Sequence, residues 1–188
     1  MTCPPMHNDL GESLLALARN AIADKLGFAH PAEPPAPPEL TRPGAVFVTL
    51  TEAGELRGCI GSLEAWRPLR DDVVANARAA AFNDPRFEPL RAEGLANVRI
   101  EVSLLSPAQP MSFAGEDDAI RQLRPGIDGV ILECGRHRGT FLPQVWESLP
   151  EPRQFMAQLK RKAGLPPDFW NADVKLSRYS VEKWKEPT

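Results

Sequence analysis

An α+β fold with a largely antiparallel sheet and flanking helices follows from three observations. Apolar residues recur at helical spacing in some segments and at alternate positions in others. The strand-like runs come in pairs around glycine turns, as hairpins do. Helices and strands also mix without the regular alternation that builds a parallel sheet. A chain of 188 residues, 43% hydrophobic and 25% charged, suits a single soluble domain spanning 1–188.

The elements can be placed in order. Leu10, Leu14, Leu17, Ala18, Ala21, Ile22 and Leu26 form a helical stripe over 10–26, with Asn8 or Asp9 as its cap and Gly27 as its left-handed stop. Five prolines at 31, 34, 35, 37 and 38 then predict an extended polyproline connector over 31–38, inside the domain. Residues 45–51 and 56–63 read as a hairpin around a Gly turn. Leu69, Val73, Ala77, Ala80 and Ala81 stripe a helix that Asp84-Pro85 stops. Strict alternation over 98–104 predicts an antiparallel strand with one buried side. A short helix near 117–123, strands at 129–134 and 140–142, a helix over 152–163 and one closing strand at 174–181 complete the chain. Shifting the sequence by 81 positions lays Glu52, Gly54, Arg57 and Gly58 on Glu133, Gly135, Arg138 and Gly139, which suggests two related half-units.

Composition excludes several classes. No apolar run reaches the roughly 18 residues of a membrane span, and the start lacks the basic and apolar regions of a secretory signal. Three cysteines without CxxC spacing speak against a disulfide scaffold or zinc finger and for a reducing, cytoplasmic setting. A net charge of −3 disfavours nucleic acid as the main partner, although 16 of the 22 basic residues are Arg and could form local patches. No metal and no cofactor is called for: Cys3 and His7 have helical ligand spacing, but no third ligand lies near them in sequence.

The densest chemical signal is Leu56-Arg57-Gly58-Cys59-Ile60-Gly61. Strand alternation would put Arg57, Cys59 and Gly61 on one face, with Arg57 and Cys59 about 6.6 Å apart. A guanidinium at that range favours thiolate over thiol. Glycines within a strand mark close approach of a ligand or another backbone, so Gly58 and Gly61 suggest an open slot over the sulfur. The competing reading is a small buried core thiol.

This hexapeptide resembles the signature of the AMMECR-type family, the A component of the AmmeMemoRadiSam system. The resemblance runs through Leu14-Leu15-Ala16-Leu17-Ala18-Arg19, Phe47-Val48-Thr49-Leu50, Asp84-Pro85-Arg86-Phe87, Ile100-Glu101-Val102-Ser103-Leu104-Leu105, Thr140-Phe141-Leu142-Pro143-Gln144-Val145 and Lys162-Ala163-Gly164-Leu165. It implies a larger and a smaller lobe around a cleft, with the hexapeptide near it. It also implies association with Memo-like and radical-SAM-type proteins.

Other candidates are sparser. Asp84 and Arg86 on a Pro-set turn could grip a carboxylate or phosphate, or simply pair with each other. His137, between Arg136 and Arg138, could act as a general base if folding brought it to Cys59; otherwise it is a solvated turn residue. Cys134 reads as core, and Lys160-Arg161-Lys162 as the solvated face of a helix. There is no phosphate loop, no GxSxG and no paired-carboxylate motif. Three readings follow: a binding or accessory module holding an anionic small molecule or partner segment at Arg57, Gly58, Gly61, Asp84 and Arg86; an enzyme using Cys59 as nucleophile or redox thiol; and a nucleic-acid-associated protein.

Overall fold

Ala53 and Gly54, with φ of 50° and 85°, form the two-residue turn that folds β1 (Val46–Glu52) onto β2 (Glu55–Gly61). Positive φ at both central residues is the turn whose twist matches that of paired strands. The structure, a computed structural model, describes residues 6–34 and 36–187, with side chains from residue 9 onward. It divides into two compact units. The larger comprises the chain up to Leu105 together with the residues from Glu182; the smaller is Ser106–Val181.

The larger unit opens with α1 (Met6–Lys25), which buries Leu14, Leu17, Ala18, Ala21 and Ile22. The helix starts earlier than the expected cap, so Asn8 and Asp9 lie inside it. Gly27, at φ 81°, ends it, with the Phe28 N–H bonded to the Ala23 carbonyl at 3.0 Å. The residues from 28 to 37 that the structure describes form no helix or strand, Pro35 lying outside them; Pro37 has polyproline angles, and Pro38–Thr41 close into a 3-10 turn. After the hairpin come α2 (Leu69–Phe82) and β3 (Val98–Leu105). The sheet order is β2-β1-β3-β8, where β8 (Val181–Lys185) is the end of the chain. Val46, Val48, Leu50, Val98, Ile100 and Val102 turn one face into the core with both helices. A buried carboxylate ties helix to hairpin: Asp72 accepts from the Val46 N–H at 2.9 Å, Ser62 Oγ at 2.6 Å, Arg67 Nε at 2.7 Å and Asn76 Nδ2 at 3.0 Å.

The smaller unit holds β4 (Gln109–Pro110), α3 (Glu116–Gln122), β5 (Gly129–Cys134), β6 (His137–Phe141), α4 (Pro152–Lys162) and β7 (Lys175–Tyr179), with sheet order β4-β7-β5-β6. Its core stacks Trp146 on Phe155, with ring centroids 3.8 Å apart. Three expectations change here. The strand expected at 140–142 begins at His137, because a two-residue turn at Gly135-Arg136 leaves His137 already paired with Cys134. The single strand expected at 174–181 is two strands in different sheets, parted at Ser180, whose N–H and C=O bond Ser106 instead. Lys160 is not on a solvated face but 1% exposed: it lies four residues beyond Met156 on the buried stripe, and its ammonium meets the Glu116 carboxylate, the Pro167 carbonyl at 3.1 Å and the Trp170 ring.

The 81-residue echo is a structural repeat. Each unit runs helix, hairpin, helix, strand, and the third strand pairs with the first of the hairpin (β3 with β1, β7 with β5). Gly58 and Gly139 do the same job, since a helix backbone crosses each. A Cβ at Gly58 would run into the Ala80 carbonyl oxygen, and one at Gly139 would press on Ala163 and the Leu159 carbonyl.

Candidate functional site

The hexapeptide forms most of β2, an edge strand of its sheet. A β-bulge shapes it. Thr51 faces Leu56 while Leu50 faces Gly58, so Arg57 is the extra residue. The slip interrupts the expected alternation. It sets Cys59 opposite Thr49, on the face away from the helices, and leaves Gly58 opposite Leu50 on the core face.

Cys59 is half-buried and held on three sides. Its N–H donates to Asp84 Oδ2 at 2.9 Å, its carbonyl accepts from Arg86 Nη2 at 3.3 Å, and its sulfur accepts from the Thr49 hydroxyl at 3.3 Å. Asp84 and Arg86 therefore occupy the hydrogen-bonding positions of a further strand at this edge. They also pair with each other, Nε to Oδ1 at 2.9 Å and Nη2 to Oδ2 at 2.7 Å, while the Arg86 N–H reaches Oδ1 at 3.1 Å. These bonds from Arg86 hold the Asp84 carboxyl well below the usual carboxylate range despite its burial, and the Cys59 N–H adds to the effect. The same pair raises Arg86 further above its ordinary value.

Arg57 crosses in the other direction. Its Nη2 donates to the Glu88 carbonyl at 2.7 Å, while its Nη1 is buried and has no hydrogen-bond partner among the described residues. The slot expected beside Gly61 is filled, because the Phe47 ring lies over that glycine and a Cβ there would strike it. On the same sheet face, Glu101 lies opposite Thr49 and pairs with Lys183 at 3.6 Å and Lys185 at 2.8 Å.

The structure thus brings Arg57, Gly58, Cys59, Gly61, Asp84 and Arg86 together around one strand. His137 belongs to the smaller unit, where its Nδ1–H donates to the Ala163 carbonyl at 3.1 Å and caps α4. Cys134 is buried there, its thiol 3.7 Å from Asn171 Oδ1. Cys3 and the His7 side chain lie outside the described residues. Among the described residues, the only hydrogen-bond partner of the Cys59 sulfur is the Thr49 hydroxyl. Sequence reasoning missed Thr49, Phe47 and Glu88.

A tandem of helix–hairpin–helix–strand units, with a glycine-rich edge strand clamped by an Asp-Pro-Arg turn, defines a distinct class of α+β protein. The AMMECR1 family model matches residues 15–184, and the chain belongs to that family. Among its relatives, a protein of Methanothermobacter thermautotrophicus is 37% identical over 99% of both chains, and one of Thermococcus gammatolerans is 39% identical over 95% of this chain and 91% of its own. The crystal structure of uncharacterized protein PH0010 from Pyrococcus horikoshii has the same fold, with a TM-score of 0.79 and 37% identity over 94% of this chain and 91% of that one. Among the described residues, no helix is long and apolar enough to cross a membrane.

Proposed function

We propose that the protein is a binding module whose hexapeptide site takes an anionic group, from a small molecule or an acidic partner segment. The observation that carries this reading is the buried, unpartnered Nη1 of Arg57. A buried guanidinium N–H without an acceptor is costly, and a carboxylate or phosphate oxygen would satisfy it. Arg86 adds positive charge nearby, its side chain 53% exposed even while paired. A nucleophilic role for Cys59 is less well supported, since a thiol of that kind works with a positioned base, and among the described residues the sulfur's hydrogen-bond partner is a threonine hydroxyl. Memo-like and radical-SAM-type proteins are the partners we propose, and co-purification from the native host tests that association.

The binding claim is tested by calorimetric titration with pyrophosphate and with citrate. Saturable binding by at least one is expected, weakened tenfold or more in Arg57→Ala while the circular dichroism is unchanged. Equal affinity in wild type and Arg57→Ala, or no heat with either anion, would overturn it.

A further inference from the structure

Two features of the larger unit play no part in the hexapeptide site. The first is a cavity of about 450 Å³ between the early turns of α1 and the proline-rich connector. Pro34, Pro37 and Pro38 wall it on one side. Its size is that of a pocket that takes a small molecule or a large side chain. Among the described residues, the charged groups that line it are all exposed carboxylates: Asp9, Glu12 and Glu39.

The second is Trp66, at 70% exposure the most exposed of the large apolar side chains described. The segment that carries it is well tied. The Trp66 N–H bonds the Glu64 carbonyl at 3.1 Å, and the Arg67 carbonyl accepts the Gly44 N–H at 3.2 Å. The Arg67 guanidinium lies 4.6 Å from the centroid of the indole. That guanidinium is in turn held by the fully buried Asp72, Nε to Oδ1 at 2.7 Å. An indole mounted on a fixed cation loses little freedom on binding, and Trp and Arg are enriched among the residues that dominate interfaces.

Knob and hole match in chemistry. An indole packs its apolar body on proline rings, and its N–H is a donor for carboxylates, which only accept. Arg67 beside it brings positive charge to Asp9 and Glu39. Trp66 does not line the cavity of its own chain, so the ring that enters belongs to another molecule. We infer that the chain pairs with a second copy of itself, inserting Trp66 into this cavity and setting Arg67 against Asp9 and Glu39. A two-fold pair uses the knob and the hole of each chain once. The contact is separate from the hexapeptide site and does not depend on what binds there.

Sedimentation velocity of the full chain over a range of concentrations tests this. A reversible monomer–dimer equilibrium is expected, weakening as salt rises. Trp66→Ala should weaken it at least tenfold with unchanged circular dichroism, since the side chain is exposed. Glu39→Lys reverses a charge at the hole and should weaken it to a similar degree. Mixing the variants separates knob from hole. Trp66→Ala keeps an intact hole and Glu39→Lys an intact knob, so together they should form dimers that neither forms alone. Dimers that survive Trp66→Ala, or a mixture that stays monomeric where the wild type is paired, would overturn the inference. A monomeric wild type would overturn it too, and binding of a Trp-Arg peptide by that monomer would assign the cavity to a different protein.

Discussion

Asp84 Oδ2 accepts the amide proton of Cys59 at 2.9 Å, across 25 residues of sequence. One oxygen thus serves a backbone donor at a sheet edge, and the same carboxylate holds Arg86 against the Cys59 carbonyl. The Asp-Pro-Arg turn thus clamps the hexapeptide, and its two charges pair with each other.

Asp84→Ala should cost about 2–3 kcal/mol in urea unfolding, because it strands a buried N–H and releases Arg86. The effect depends on pH. Asp84's carboxyl is depressed in the folded state, so its contribution is complete above the ordinary carboxylate value near ~3.9 and is lost as pH falls toward the folded value. The gap between wild type and Asp84→Ala should therefore be constant from pH 7 to 5 and shrink below about pH 4. A gap unchanged at pH 3 would mean that Asp84 does not act as a carboxylate.

Gly58→Ala and Gly61→Ala should differ in whether they can be rescued. Each places a Cβ where another group sits, at a cost of about 1–3 kcal/mol. At Gly61 the obstacle is the Phe47 ring, so Gly61→Ala should recover when Phe47→Ala is added. At Gly58 it is the Ala80 carbonyl oxygen, which no side-chain change removes. Double-mutant cycles on thermal unfolding read the contrast directly.

Helices, hairpins and the repeat were legible because each rests on local spacing: the α1 stripe, the Gly turns, the alternation of β3. The face of the key cysteine was not. Counting back from the Ala53-Gly54 turn would set Cys59 opposite Val48, whose side chain is fully buried. The bulge at Arg57 moves that register by one residue, to Thr49. A one-residue slip exchanges the two faces of a strand, so alternation alone could not say whether Cys59 faces the core or away from it. The split of the closing strand at Ser180 was hidden for another reason, since it depends on which sheet each half joins.

Lys160→Met should be nearly neutral, whereas Lys160→Ala should cost about 2–4 kcal/mol. Lys160 is buried, with its ammonium 5.5 Å from the Trp170 ring centroid, and its partner Glu116 is 30% exposed at the side chain, so water can serve that carboxylate once the ammonium is gone. Methionine keeps the volume, and alanine leaves a cavity. Equal losses in the two variants on chemical denaturation would mean that charge, not packing, retains the lysine.

Cys59 should be the faster of the two described thiols to alkylate, and its environment says by what route. Cys134 is 8% exposed in the core of the smaller unit, whereas Cys59 is half-buried on the sheet face away from the helices. Iodoacetamide at pH 7 should therefore modify Cys59 first, followed by mass spectrometry of the two peptides. The Thr49 hydroxyl donates to the sulfur at 3.3 Å and fixes it on that face. Thr49→Val should leave Cys134 alkylation unchanged, because that thiol lies in the other unit. Cys59→Ser keeps a group able to bond Thr49, so its denaturation midpoint should shift by less than the equivalent of about 1 kcal/mol. A strongly destabilised Cys59→Ser, with Cys59 the slower thiol, would make the hexapeptide a packing motif: the sulfur would then fill space under Phe47, and Arg57 would have no site to serve.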